Sequence, residues 1–450
     1  MAGISLTFLG VARSAIERGR NWQGGASFQD CEAWLCESPI APGRRAHDFH
    51  LMLPDQHGDR ALWRDGATIL ILALAPAIGV GIARFAYSLV LPDMRASLDW
   101  SYAAAGFMNT INAVGYLVGA LAAAAVIRRI GQFGAIFYGS LACVIALAVS
   151  ALSGNFLLLS LARLAAGIGG AIAFVGGGVA AARLSQNHRN HAALLLSLYY
   201  IGPGIGIVLS GIAAPLVLAA LGPGSWWVVW GALAAITALL WLALASVRTE
   251  KDASDLAKTQ ARAALAPMAL VLVSYCVYSV ATIAYMTFMI AWLAKAGAGA
   301  STQSVFWILL GLGGVASPFL WSWTMVSTRG GRAIAMLTTF TFVAVMVGLF
   351  ANVRALQFLS AFAFGSVLLA VVAASTAFVR RNYPPAAWPS GVGAMTVAFG
   401  LGQAIGPILS GAIADATGDL SIGLRSSVAF LAVAALLAAF QRDLAPVSSR

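Results

Sequence analysis

From residue 67 onward the chain alternates between long apolar runs and short polar breaks. The runs cover 67–91, 102–127, 134–153, 156–182, 192–219, 225–246, 266–293, 303–326, 333–351, 355–379, 391–414 and 425–441. Most are close to or above the ~20 residues a helix needs to cross a hydrocarbon core. Lipid offers no partner to an open backbone group, so spanning segments built from such runs must be helices. The pattern predicts an all-α integral membrane protein of twelve transmembrane helices.

The charges between the runs support that count. Arg128, Arg129, Arg183, Arg189, Arg248, Lys251, Lys258, Arg262, Arg329, Arg332, Arg380 and Arg381 fall in every second break. The alternate breaks hold only Arg95, Lys295, Arg354 and Arg425. Positive charge is retained on the cytoplasmic side, so the first set is expected inside, with both termini cytoplasmic. Trp226, Trp227 and Trp292 then fall near outer ends, where interfacial aromatics sit.

The longest polar connector, 247–264, divides the body into halves at 66–246 and 265–442, with a short tail at 443–450. Weak repetition agrees with that division. Ile201-Gly202-Pro203 with Leu209-Ser210-Gly211 is echoed by Ile405-Gly406-Pro407 with Leu409-Ser410-Gly411, 204 residues later. Ala86-Tyr87 and Ala284-Tyr285 repeat at an offset of 198. Two related six-helix halves are a transporter pattern.

Composition sharpens the picture. Charged residues make up 10% of the chain, against about 25% in soluble domains. The net charge of +11 does not indicate nucleic acid, because no basic stripe with interleaved aromatics is present. Residues 1–65 differ: they hold seven Arg and eight acidic residues and no long apolar run. They are expected to be a disordered cytoplasmic extension, and the shift in composition raises a start at Met52. N-terminal sequencing of native protein that finds Met1 or Ala2 would count against that start. Cys31 and Cys36 lack paired metal-site spacing, and Cys143 and Cys276 lie in apolar runs. No metal and no cofactor is expected.

Several motifs carry a family resemblance. Arg163-Leu-Ala-Ala-Gly167-Ile-Gly169-Gly170-Ala171 resembles the fourth-helix motif of the major facilitator superfamily. Gly202-Pro203 with Gly206 and Gly211 resembles its fifth-helix antiporter motif. Arg128-Arg129-Ile-Gly131 resembles its gating loop, without the acid that normally precedes the basic residue, and Arg329-Gly330-Gly331-Arg332 is similarly incomplete. A narrower likeness is to YbfB/YjiJ-type members, through Gly79-Val-Gly81-Ile-Ala-Arg84-Phe85-Ala86-Tyr87 to Leu91-Pro92, and Asn109, Asn112, Gly115, Tyr116 and Gly119. The resemblance spans residues 66–442 and implies the two-half transporter fold, with the first, fourth, seventh and tenth helices around a central site. It gives no cargo.

The residues also speak for themselves. Gly115 and Gly119, Gly202 and Gly206, and Gly402 and Gly406 are spaced by four, which lets helix backbones approach. Pro203 and Pro407 remove a backbone donor within a span. Static packing and helix movement both use such positions. The glycines at 167–170 and 176–178 follow no strand and lack a Lys-Ser/Thr end, so they are not nucleotide loops. Ionisable groups inside a bilayer are functional candidates by default. Arg84 and Arg163 are two such groups, and a guanidinium grips a carboxylate through two parallel bonds. Arg163 could instead snorkel outward or bond backbone carbonyls. Tyr87, Asn109, Asn112, Tyr116, Tyr278, Tyr285 and Gln403 are further candidates for substrate or interhelical contact.

No Asp or Glu falls in the middle of a run, and Asp93 and Asp415 sit at run ends. Cationic cargo would call for a buried carboxylate, so a small anionic or neutral solute is expected. His188 and His191 flank Arg189 with no acid partner nearby, a solvated loop rather than a catalytic cluster. The chain is therefore expected to be a monomeric secondary transporter of a bacterial inner membrane, not an enzyme. Its partners would be a small-molecule substrate and the lipid bilayer. Alternatives are a drug or sugar efflux antiporter of the same fold, and an enzyme acting on lipid-borne substrate.

Overall fold

The computed structural model describes residues 56–188, 191–247 and 262–444, with side chains from Ala61 onward except at 325–327. The expected N-terminal extension up to residue 55, with Cys31, Cys36 and Met52, lies outside the described residues. So do Arg189, most of the 247–264 connector and the tail from 445. Among the described residues there is no strand.

Eleven helical stretches are long and apolar enough to cross a membrane. They are α1 (Ala61–Ser97), α2 (Tyr102–Leu152), α3 (Phe156–Gln186), α4 (Ala192–Leu221), α5 (Trp226–Leu244), α6 (Ala266–Lys295), α7 (Ala300–Thr324), α8 (Arg332–Phe350), α9 (Arg354–Asn382), α10 (Pro385–Thr417) and α11 (Leu420–Phe440). Helix starts at Gln56, well ahead of the expected 67, because polar residues extend a helix beyond its apolar part without interrupting it.

The 51 residues of α2 do not form one rod. Gly119 and Gly139 both approach α3, at Ile168 and at Gly169. In a straight helix those glycines would be ~30 Å apart. The chain folds back at Gly131, whose φ of 78° and ψ of 171° break the helix. A left-handed φ favours glycine, so the turn falls there. The two arms correspond to the expected runs 102–127 and 134–153.

The regular α-pitch of α1 is interrupted. It changes to π-helix over Ala77–Phe85 and returns to α over Tyr87–Ser97. All nine π residues are buried. The segment lies against α3 and α4 through contacts that only glycine permits. A Cβ on Gly79 would stand 2.6 Å from the Gly170 Cα, and one on Gly81 would stand 2.6 Å from both the Gly206 Cα and the Pro203 carbonyl oxygen. Gly202 and Gly206 press on the carbonyls of Ala73 and Ala77. The second half repeats the device, with Gly402 and Gly406 on the carbonyls of Cys276 and Val280. Gly115 and Gly167 join α2 to α3 in the same manner, at Leu164 and Asn112.

Residues before and after the 248–261 segment meet through α2 with α10 and α4 with α7. Gly106 packs on Pro407 and Gly411 on Tyr102. Thr110 donates to the Ala404 carbonyl at 2.7 Å, and Ser304 to the Gly211 carbonyl at 2.6 Å. The Asp415 carboxylate accepts from the backbone N–H groups of Tyr102 and Ala103, both at 2.8 Å, and so caps the start of α2. Asp93 caps α5 likewise, through Gly224 at 2.7 Å and Trp226 at 2.8 Å. A carboxylate at a helix N-terminus satisfies orphan donors and complements the dipole.

Replacing Gly81 by Ala forces a methyl group into backbone on α4, whereas a Cβ on Gly393 meets nothing within 4 Å. Gly81→Ala is expected to destabilise by about 1–3 kcal/mol. Gly393→Ala should be neutral or slightly stabilising. Thermal unfolding of the two variants in detergent compares them directly.

Candidate functional site

Both predicted intramembrane arginines lie in one layer of the bundle, each 3% exposed, yet their partners differ. Arg163 reaches from α3 toward α1 and α2. Its Nε donates to the Met108 carbonyl at 3.3 Å, and its Nη1 to the Ala83 carbonyl at 2.5 Å. Its Nη2 donates to the Arg84 carbonyl at 3.2 Å and to Asn109 Oδ1 at 3.3 Å. Every guanidinium nitrogen is engaged. The carbonyls of Ala83 and Arg84 sit where α1 returns from π to α pitch, and side chains that insert at such irregularities are a known cause of local helix distortion. The Tyr87 ring lies 4.9 Å from the Arg163 guanidinium carbon and the Trp230 ring 6.0 Å.

Arg84 is satisfied less fully. Its Nη2 donates to Gln403 Oε1 on α10, while its Nε is buried with no partner. The rings of Tyr116 and Phe85 stand 4.8 and 5.7 Å from its guanidinium carbon. Aromatic faces attract a cation but do not neutralise it. The acidic residues with described side chains, Asp65, Asp93, Asp99, Asp415, Asp419 and Asp443, lie near helix ends or in connections. The layer therefore holds two guanidinium groups and no carboxylate among the described residues.

The remaining candidates sort themselves by partner. Asn109 joins the site to the second half, its Nδ2 donating to Thr287 Oγ1 on α6 at 2.6 Å. Asn112 Nδ2 donates to the Arg163 carbonyl at 2.8 Å, and the Tyr87 hydroxyl to the Ala105 carbonyl at 2.7 Å. These residues brace the arginine layer. The Tyr278 and Tyr285 hydroxyls instead lie beside Thr341 and Ser360, on α8 and α9, buried without hydrogen-bond geometry to either. They belong to packing within the second half. Arg128 and Arg129 are exposed beside the Gly131 turn.

One residue escaped the sequence reading, and one pairing was misread. Thr287 carried no signal, because a threonine in an apolar helix ordinarily bonds its own backbone, and this one also donates to the Ile283 carbonyl at 2.6 Å. The reading of His188 without an acid partner is corrected. Its Nε2 lies 3.0 Å from Asp65 Oδ2, across 123 residues of sequence, and ties the connection after α3 to the start of α1. Sequence distance hid the pair.

Apolar helical stretches arranged in this way around buried charges define a polytopic membrane protein. The chain belongs to the family described as "Uncharacterised MFS-type transporter YbfB", whose model matches residues 76–439. Among curated protein sequences none matches. Solved structures of similar fold include a point mutant of the nucleoside transporter NupG, with a TM-score of 0.64 and 16% identity over 83% of this chain and 99% of that one. A bacterial homolog of the human lysosomal transporter Spinster is similar in two inward-facing forms. The occupied form has a TM-score of 0.60 and 15% identity over 83% of this chain and 95% of its own. The unoccupied form has a TM-score of 0.60 and 16% identity over 84% and 96%. At these identities the likeness concerns the fold. The protein is a multi-pass membrane transporter.

A lysine at position 163 keeps the charge but cannot reproduce the planar set of donors. Arg163→Lys is expected to leave several of the four acceptors unpaired and to cost about 1–3 kcal/mol. A drop in unfolding temperature larger than that of Arg84→Lys would bear this out.

Proposed function

We propose that the protein is a secondary active transporter that carries a small organic anion across a bacterial inner membrane by alternating access. The observation that carries this reading is Arg84, a buried guanidinium with an unpartnered Nε and no acidic counter-charge among the described residues. A group of this kind is costly to keep in a membrane, and an anionic ligand would offset the cost. Arg163, whose donors are occupied by carbonyls, serves as the brace that orients the Arg84 backbone.

Twelve passes result when the two arms of α2 are counted separately. The Arg-rich connections are cytoplasmic on this reading, by the retention of positive charge. The Asp415 end of the bundle, where α2 meets α10, is then the outer side. Its cap on α2 and the glycine contacts around it favour an inward-facing state. A cation exporter would have to hold its cargo beside two guanidinium groups, which argues against that alternative.

The test is thermal unfolding of the purified protein against organic anions, cations and neutral solutes, with Arg84→Ala alongside. A ligand at 100 times its dissociation constant adds about 2.7 kcal/mol. Anions are expected to raise the unfolding temperature of the wild type and not of Arg84→Ala. Stabilisation by lipophilic cations, or anion binding that survives in Arg84→Ala, would sink the proposal.

A further inference from the structure

One edge of a guanidinium carries two parallel N–H donors, Nε and the adjacent Nη2. On Arg84 this edge is half used. Nη2 donates to Gln403 Oε1, and Nε beside it is buried without a partner. An amide brings one carbonyl oxygen, and that of Gln403 accepts from Nη2 and not from Nε. A carboxylate brings two oxygens at matching spacing and satisfies both donors together. Gln403, 5% exposed, thus occupies with one oxygen a place built for two.

Position adds to chemistry. Arg84 lies on α1 and Gln403 on α10, 319 residues apart, so their bond ties the first half of the chain to the second. Pro407 lacks the backbone donor that would bond the carbonyl of Gln403 four residues earlier, while Gly402 and Gly406 seat the helix on the carbonyls of Cys276 and Val280 of α6. Tyr116 and Phe85 flank the charge without offering an anionic acceptor.

We infer that Gln403 is a stand-in for the substrate: an incoming carboxylate displaces its amide from Arg84, trading a bond between the two halves for a bidentate bond to the cargo. The inference rests on the anion-transport reading and narrows it to carboxylates. Gln403 acts as a competitor whose release couples binding to separation of α1 from α10. An ester or amide of the same acid offers the fork one oxygen, gains nothing over Gln403 and is rejected.

The experiment uses the full chain in detergent, with acetate, benzoate and succinate as probes and their uncharged amides as controls. Binding is read as the shift of the unfolding temperature with probe concentration. In the wild type at least one carboxylate is expected to stabilise, and its amide is not. Gln403→Ala removes the competitor, so the same acid should bind roughly two- to tenfold more tightly, the range of one exchanged hydrogen bond. Gln403→Glu supplies a built-in carboxylate to the fork and should lose the response while unfolding at a higher temperature. Weaker or unchanged binding in Gln403→Ala, or a retained response in Gln403→Glu, overturns the stand-in role and leaves the anion site intact. Silence of every folded variant toward all three acids removes the anion reading itself, and the stand-in with it.

Discussion

A guanidinium placed inside a lipid bilayer must replace the water it loses, and the structure is organised around the replacement found by Arg163. Backbone carbonyls supply it. Three carbonyls, at Ala83, Arg84 and Met108, converge on this one side chain together with Asn109. Two of those carbonyls lie at the end of the π-helical stretch of α1. The irregular helix and the buried charge thus explain each other. The π stretch in turn is held against α3 and α4 by glycines at 79, 81, 170 and 206, where any side chain would push the backbones apart.

The two arginines of this layer illustrate how similar groups acquire different duties. Arg163 has its donors filled by groups that belong to the protein, so it contributes orientation. Arg84 keeps an open donor, meets an amide from the opposing half of the chain, and lies beside two aromatic rings of its own half. A buried cation that the protein leaves incompletely satisfied is a poor contribution to stability. It is better suited to a ligand that arrives with the missing oxygens.

The contacts between the halves have a common character. Apart from the Asp415 carboxylate and the Arg84 guanidinium on Gln403, they are made by neutral side chains and bare backbone: Thr110 on Ala404, Ser304 on Gly211, Asn109 on Thr287, and glycine against carbonyl. Neutral hydrogen bonds are worth little net free energy each. Most of an interface assembled from them can part without leaving a charge stranded in lipid, which is what the proposed alternating access requires.

Much of this was legible in the chain. Length and apolarity of the runs decide that they are helices, because a bilayer admits no other open structure, and the break at Gly131 falls between two runs that were already distinct. Arg84 and Gln403 stood out because polar groups inside apolar runs are rare and costly. What the sequence left open was pairing. Whether Arg163 met carbonyls or cargo, whether Tyr278 and Tyr285 faced Arg84 or the helices behind them, and whether His188 had an acid partner all depend on contacts across tens to hundreds of residues. The π stretch was equally hidden, since its glycines and small residues fit an α-helix as well. Local patterning determines which segments enter the membrane and what they carry. Only packing decides which polar groups satisfy one another, because a hydrogen bond needs a partner within about 3 Å and the chain alone does not say who is near.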